Sequence, residues 1–502
     1  MALPTLRSVL SAGPARSAAS PHLPARTTGT TADRSGGTRW VWGAAAVLFA
    51  LYAALSVRDQ QRILTTGYDL GIFEQAVRSY AHGQLPVSAL KGPGFPLLGD
   101  HFSPVLATLA PFYRLWPTPM TLLIAQAALL AVAVVPLAGW AQQVAGRRAA
   151  VLVAFGYGGS WGIASAVGFD FHEVVFAVPL LAFSLTALAR RRMRAAAAWA
   201  LPLLLVKEDL GLTVAVIGAL IAWRAGRNHR LLGLATLAAG VLGTALEVLV
   251  VIPAFNPGGQ YAYWSGMPAT GSDAGQGVAG LLYQATIGLV TPQTKAVTLV
   301  LLLATTAFLA VRSPLLWIAA PTLAWRMVST NPAYWGTGYQ YSAVLMPIAF
   351  AALVDGLGRW PGPVRTAWPY LVAGAAVTAV LLPQYPLAAL LRPSTWHTGP
   401  RVAAAHRVLA MIPDGATVSA SNRLVPQLTS RATVSEFGFP GLPLDAQWIV
   451  VDTADPQGWP VSGEQQQQDV AAAEAEGFRT VSDQDGYLLL HRGSGSGPGS
   501  FR

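Results

Sequence analysis

Thr66-Gly-Tyr-Asp-Leu-Gly-Ile-Phe-Glu-Gln-Ala76 is a polar stretch in a largely apolar chain. It follows the first long apolar run, Trp40–Val57, and carries Asp69 and Glu74 in a sequence with only 23 acidic residues among 502. Leu70, Phe73, Val77 and Tyr80 recur at helical spacing, which predicts an amphipathic helix lying near a membrane surface. The surrounding chain is 53% hydrophobic and only 11% charged, with a mean hydropathy of +0.45. A soluble domain carries about 25% charged residues, and several apolar runs here reach the ~18 residues of a membrane span. The sequence therefore reads as an all-α polytopic membrane domain whose later loops converge on Asp69.

The net charge of +10 does not point to nucleic acid, because the basic residues sit in short clusters between apolar runs. These clusters are Gly146-Arg-Arg, Arg190-Arg-Arg-Met-Arg194, Arg224–Arg230, Arg312 and Arg359–Arg365. Placed together on the cytoplasmic side, they leave the alternate loops outside. The outer loops then hold residues 69–101, 169–173, 207–209, 256–266 and 331–341, with the lysines Lys91, Lys207 and Lys295. Spans are expected near 40–57, 119–143, 149–167, 174–189, 195–207, 210–223, 231–252, 294–311, 314–329, 341–356 and 366–383, about eleven in all. Residues 101–116, interrupted by Pro104 and Pro111, read instead as an interfacial or re-entrant helix. An odd number of crossings puts the N-terminus in the cytoplasm and the C-terminus outside.

Residues 1–38 read as a disordered basic cytoplasmic tail and 39–387 as the membrane domain. In 388–492 the apolar runs shorten to strand length at 416–420, 432–436, 447–452 and 487–491, with helical patterns at 400–411 and 465–477. This predicts a small extracytoplasmic α/β domain, followed by a disordered Gly/Ser tail at 493–502. The absence of cysteine excludes disulfides, zinc–thiolate sites and thiol nucleophiles. No Gly-rich phosphate loop, GxSxG elbow or HExxH occurs.

Four polar constellations remain. Asp69 beside a membrane surface can serve as a general base toward a hydroxyl; it can equally cap the helix starting near Leu70. Gly99-Asp-His-Phe-Ser-Pro104 offers Asp100 and His101 to a metal or a phosphate-bearing ligand, or as a helix start. Phe169-Asp-Phe-His-Glu173 places Asp170, His172 and Glu173 where a span enters the membrane; they are candidates for a divalent cation, though without a second spaced pair of ligands. Lys207-Glu-Asp209 interrupts two apolar runs, so Lys207, Glu208 and Asp209 face either one another in a neutral turn or an anionic headgroup. The loops Gly258–Trp264 and Asn331–Tyr341, with Tyr339, are aromatic and Gly-rich, a composition suited to stacking on sugar rings and equally to an interfacial belt.

Tyr68-Asp-Leu-Gly-Ile-Phe-Glu-Gln-Ala76, Gly99–Pro104, Phe169–Glu173, Lys207-Glu-Asp-Leu-Gly211 and Ser421-Asn-Arg-Leu-Val-Pro426 together resemble a family of bacterial and archaeal multispanning membrane proteins whose shared domain has no assigned function. The resemblance covers roughly residues 40–490. That family is in turn similar in layout to the GT-C glycosyltransferases, such as protein O-mannosyltransferases. The resemblance implies a polyprenyl-phosphate sugar donor, an unknown acceptor and an Asp in the first external loop as base, which is Asp69. It leaves Lys207 or Lys91 to meet donor phosphate, and Glu74, Asp100, His101, Asp170, His172, Glu173, Glu208, Asp209 and Tyr339 to bind substrate. No resident cofactor is expected; the Asp170, His172 and Glu173 motif departs from the better-known GT-C enzymes and leaves a divalent cation there as the variant. A transporter or flippase of a lipid-linked or polar solute, and a non-catalytic envelope assembly protein, are the competing readings.

Overall fold

In the computed structural model the described residues are 36–224, 226–266, 283, 286–439 and 446–493. Most of the tail expected at 1–38 and nearly all of that at 493–502 therefore lie outside the described residues. From Trp40 onward the chain is one compact unit, mostly helical, with a small sheet near its C-terminus.

The first helix, α1 (Gly36–Gln61), contains the expected first span. Its neighbour is the apolar stretch Met120–Gly158, broken at Gly146, whose φ of 84° and ψ of 175° are not helical. Only glycine takes that conformation without a steric cost. The two halves fold back on each other, since the Tyr157 hydroxyl donates to the Leu130 carbonyl at 2.8 Å. Trp40 Nε1 bonds Gln142, the Tyr52 hydroxyl bonds the Gly158 carbonyl and Ser56 bonds the Val167 carbonyl. So α1 runs alongside the second arm of this hairpin, from the Gly146 turn toward Asp170.

This pairing defines two ends. At one, Arg191 donates to the Arg224 carbonyl, and Asp355 receives Arg224, Arg359 and the Ser313 hydroxyl. Arg312 lies over Trp360, and Val144, beside the Gly146 turn, reaches Gly358. The arginine-bearing turns thus gather together. The other end collects the loops at 66–71, 99–103, 169–173, 207–209, 256–266 and 329–341. The charge segregation inferred from the sequence is present in the fold.

The span count is met only in part. Five described helices are long and apolar enough to cross a membrane: Arg39–Gln61, Met120–Gly158, Arg230–Phe255, Gln340–Gly358 and Val364–Gln384. Four shorter apolar helices are Glu173–Ala189, Met193–Leu205, Leu210–Arg224 and Gln293–Ala304. The expected span at 294–311 is not continuous, since Ala307 and Phe308 are left-handed at φ 46° and 62°; 314–329 is one short helical run, a 3-10 turn Pro314–Ala319 leading into the helix Ala320–Val328. Proline and left-handed residues divide apolar sequence into pieces shorter than a bilayer requires. Residues 104–115 form two short helical turns, too short to span, with Phe112, Leu115 and Trp116 exposed and Tyr113 buried against α2 (Ile72–Ala81).

The C-terminal sheet has strands β1 (Thr417–Ala420), β2 (Thr433–Glu436), β3 (Trp448–Asp452), β4 (Arg479–Gln484) and β5 (Tyr487–His491). Their order is β2-β1-β3-β5-β4. β1 is parallel to β2 and β3; β5 is antiparallel to β3 and β4. Helices Pro400–Leu409 and Gly463–Ala475 match the helical patterns. β4 is the strand that sequence reading misses, because an exposed edge strand has no apolar alternation to show. One face of the sheet, with Val418, Ala420 and Val434, joins the bundle's apolar core; the other packs Ile449, Val451 and Phe478 against Ala473.

Candidate functional site

The chain leaves α1 through a wide turn, Gly67–Gly71, before α2 starts at Ile72. This turn exists because the C-terminal domain grips it. Asn422 accepts the Gly67 and Tyr68 amides through Oδ1, at 2.9 and 3.1 Å, and Gly67 again through its carbonyl. Val425 lies so close that a Cβ on Gly67 would sit 2.5 Å from its side chain. Asp69 lies inside the turn and is not an N-cap residue; the cap positions are Thr66 and Gly71, neither of which makes a side-chain capping bond. The Asp69 carboxylate, about a quarter exposed, points instead to His172, with Oδ1 3.2 Å from Nε2.

From there an alternating chain of charges runs inward. His172 Nδ1 is 2.6 Å from Glu173 Oε2, a close charge contact and not an in-line hydrogen bond, and Lys207 Nζ donates to Glu173 Oε1 at 2.6 Å. Glu173 is fully buried. Burial disfavours the His172 imidazolium, but the Glu173 and Asp69 carboxylates outweigh it and raise the imidazole to about 9. It is therefore a cation at neutral pH. Lys207 is likewise held charged: burial opposes it, and Glu173, Glu208 and Asp209 carry it well above the ordinary lysine value.

The chain of contacts continues through Glu208. His101 Nδ1 lies 2.8 Å from Glu208 Oε1, which also accepts the Tyr261 hydroxyl at 2.9 Å. Against the cost of burial, His101 holds the Glu208 carboxyl down at about 2. His101 stacks on Tyr263 with centroids 4.5 Å apart, and the Tyr263 hydroxyl donates to Asp100 at 3.2 Å. Asp100 pairs with Lys91 at 3.1 Å, and Lys91 lies 5.2 Å from the Tyr68 ring centroid. Tyr68 precedes Asp69, so the network closes on itself. Asp69, His172, Glu173, Lys207, Glu208, His101, Asp100 and Lys91 form one ring of coupled groups at the end of the bundle opposite the arginine turns.

Three predicted residues sit beside the ring. Asp170 Oδ2 accepts the Thr66 amide at 2.8 Å and also the Thr66 hydroxyl. Burial, opposed by Thr66 and reinforced by the Asp69 charge, lifts its carboxyl to about 8, so at neutral pH it is a neutral acid tying the Asp69 turn to the 169–173 loop. Asp209 turns away to accept Trp325 Nε1 at 2.8 Å. Tyr339 is half-exposed at the rim, edge-on to Phe169. Glu74 stands apart: it is fully buried and bonded to the Tyr113 hydroxyl, because five residues past Asp69, more than one helical turn on, its side chain faces the 104–115 segment. Asp170, His172 and Glu173 do not meet as ligands. They engage Thr66, Asp69 and Lys207 respectively, and no cluster of three or more His, Asp or Glu with metal-holding geometry occurs among the described residues. Lys295, expected at the outer face, is buried and donates to the Gly288 and Met327 carbonyls. Sequence reading missed Thr66, Trp325 and Asn422 as site-shaping residues. Asn422 lies 355 residues from the amide it holds, and no local pattern reports such a distance.

A family model described as "Predicted membrane protein (DUF2079)" matches residues 60–489, and the chain belongs to that family. No curated protein matches the sequence. Among solved structures, ArnT from Cupriavidus metallidurans bound to undecaprenyl phosphate superposes with a TM-score of 0.54 at 15% identity, covering 92% of this chain and 99% of that one. Its apo state gives the same score and identity over 91% and 98%. The archaeal oligosaccharyltransferase AglB from Archaeoglobus fulgidus, in complex with an inhibitory peptide and a dolichol-phosphate, aligns with a TM-score of 0.37 at 13% identity, over 92% and 75%. The likeness to ArnT, nearly end to end on both chains, shows that this chain shares its fold.

Proposed function

We propose that this DUF2079 member is an integral-membrane glycosyltransferase that moves a sugar from a polyprenyl-phosphate donor to an acceptor on the extracytoplasmic face. The observation that carries the reading is the Asp69 carboxylate, partly exposed and held 3.2 Å from a buried imidazolium, at the mouth of a closed charge network on a GT-C-like fold. ArnT, which has this fold, was crystallised with undecaprenyl phosphate, and a lipid of that class is the donor proposed here.

In this reading Asp69 accepts the proton of an acceptor hydroxyl as its oxygen attacks the anomeric carbon. The bond from that carbon to the phosphate oxygen breaks, and its electron pair leaves on the lipid phosphate. His172 keeps the Asp69 carboxylate aimed; a group fixed before the reaction costs nothing to orient during it. Lys207 and Lys91, the two lysines of the network, offer cationic stabilisation to the departing phosphate. Both are paired in the resting site, so donor phosphate would compete with Glu173 and Asp100 for them. Positive-inside logic assigns the arginine turns to the cytoplasm and the network to the outside.

The test is a deletion strain whose lipid-linked sugars and envelope glycans are profiled together. Accumulation of one polyprenyl-phosphate sugar, with loss of one envelope modification, is the expected result. An unchanged profile in both pools would refute a transferase role.

A further inference from the structure

One motif of the sequence has no charged member in the network: Ser421-Asn-Arg-Leu-Val-Pro426, which follows β1 in the C-terminal domain. It docks along the segment that leads into Asp69. Gln60 donates to the Pro426 carbonyl at 3.3 Å, and Gln427 donates to the Gln60 carbonyl at 2.9 Å. Val425 packs against both Gly67 and Gly71, where a Cβ would lie 2.5 and 3.1 Å from its side chain. Asn422 meets the backbone of the turn itself.

The first amides of a helical segment have no carbonyl partner within it. A capping box supplies them: the N-cap side chain accepts an amide of the first turn, and an acid at the third helical position reaches back to the N-cap amide. Thr66 holds the N-cap position of the Gly67–Gly71 turn, with extended backbone at φ −121° and ψ 151°, and Asp69 is the third residue after it. Threonine and an acid at that spacing are the residues such a box uses. Neither serves in that way here. The Thr66 hydroxyl donates to Asp170 Oδ2, and the Thr66 amide donates to the same oxygen at 2.8 Å. Asn422 Oδ1 takes the Gly67 and Tyr68 amides at 2.9 and 3.1 Å. Asp170 thus stands where the Asp69 carboxylate would reach back, and Asn422 stands where the Thr66 hydroxyl would cap. With both places filled from elsewhere in the fold, Asp69 Oδ1 faces His172 Nε2 at 3.2 Å.

We propose that Asn422 is a positioning residue for Asp69: by capping the turn from the C-terminal domain, it releases the Asp69 carboxylate from its own helix start to the mouth of the site. The residue type fits the task. Asparagine caps a helix start about as well as aspartate does, and it adds no second negative charge beside Asp69. Calling the released carboxylate a base rests on the transferase reading; its release does not.

The full-length protein is purified in nanodiscs and His172 is titrated by ¹³C-histidine NMR, with thermal melts recorded in parallel. In Asn422→Ala the Asp69 carboxylate turns back to the uncapped amides, and His172 should titrate about one pH unit or more below the wild-type value of about 9. Asn422→Asp keeps an acceptor oxygen at the same reach and should hold His172 at or above that value. In an Asp69→Asn background Asn422→Ala should lower it no further. A residue that only fastened the domain would lower the melting temperature and leave the titration in place. If Asn422→Ala is not recovered folded, Asn422→Ser reads the same way, because its hydroxyl sits one bond closer to its own backbone and falls short of the amides. An unmoved His172 in the Ala or Ser variant, a loss in Asn422→Asp equal to that in Asn422→Ala, or a further fall in the double variant would overturn the proposal. A titration that follows Asn422 while the deletion strain keeps its lipid-linked sugar and glycan profiles would retire the base assignment and leave the positioning role standing.

Discussion

Replacing Asp69 by Asn separates a charge-paired base from a residue that merely fits its turn. The amide keeps the volume and one acceptor oxygen but removes the negative charge facing His172. At 3.2 Å a unit pair is worth about 1.3 kcal/mol at the permittivity of water and about 5 kcal/mol at an effective value of 20. Asp69 is about a quarter exposed, so the lower part of that range applies, roughly 1.4–2.8 kcal/mol, or one to two pKa units. His172 should then titrate near 7–8, down from about 9, with the Glu173 carboxylate still supporting it. The assay is ¹³C-histidine NMR of the purified protein, with His172→Gln assigning the resonance. In cells, Asp69→Asn should leave the protein inserted and abundant while lowering the rate by about 10²–10⁴-fold, the usual contribution of a general base. That corresponds to roughly 2.7–5.4 kcal/mol of barrier. Complementation equal to wild type at matched expression, with an unmoved His172 titration, would refute both the pairing and the catalytic assignment.

Three further outcomes follow from particular contacts. Gly67→Ala should destabilise the protein by about 1–3 kcal/mol through overpacking against Val425, and Val425→Ala in the same chain should recover part of the loss in a thermal melt; an additive double variant would show that the two residues do not press on one another. Glu436 is buried at the end of β2 with no hydrogen-bond partner for either carboxylate oxygen among the described residues, and burial holds its carboxyl well above the ordinary range. The folded state therefore keeps a proton that the unfolded chain gives up near its ordinary value of about 4.3, so stability should fall as pH rises from there toward the folded value, and Glu436→Gln should flatten that slope in melts recorded across the acid-to-neutral range; an equal slope in both proteins would exclude Glu436 as its source. A reporter active only outside the cytoplasm should be active when fused after Gly493 and silent after Arg192, and the reverse pattern would invert the orientation assigned to the two ends.

Much of the end that carries the charge network was legible in the sequence. Four short motifs of ionisable groups interrupting apolar sequence supplied every charged member of the network except Lys91, because a charge at membrane depth is retained only where something pairs with it. The arginine clusters sorted the loops to two ends for a related reason, and the α/β segment announced itself by the change from long apolar runs to strand-length ones. Asp69 was the harder case: its spacing is that of a helix cap, and only the tertiary structure shows a five-residue turn, Gly67–Gly71, intervening before the helix. Glu74, five residues on, looked equivalent in sequence, yet helical geometry turned it into a separate buried bond with Tyr113.

Sequence alone therefore determined class, segregation and chemical repertoire, since these depend on composition and on periods of two to four residues that any window displays. The tertiary structure decided pairing and register. It chose Asn422 to hold the Asp69 turn, Thr66 to hold Asp170, and Tyr261 and Tyr263 to join Glu208 to Asp100. It also broke apolar stretches at Gly146, Ala307 and Phe308, where backbone dihedrals and not hydropathy end a helix. Such contacts join positions tens to hundreds of residues apart, and their partners are selected by which surfaces pack together, a property of the folded chain as a whole.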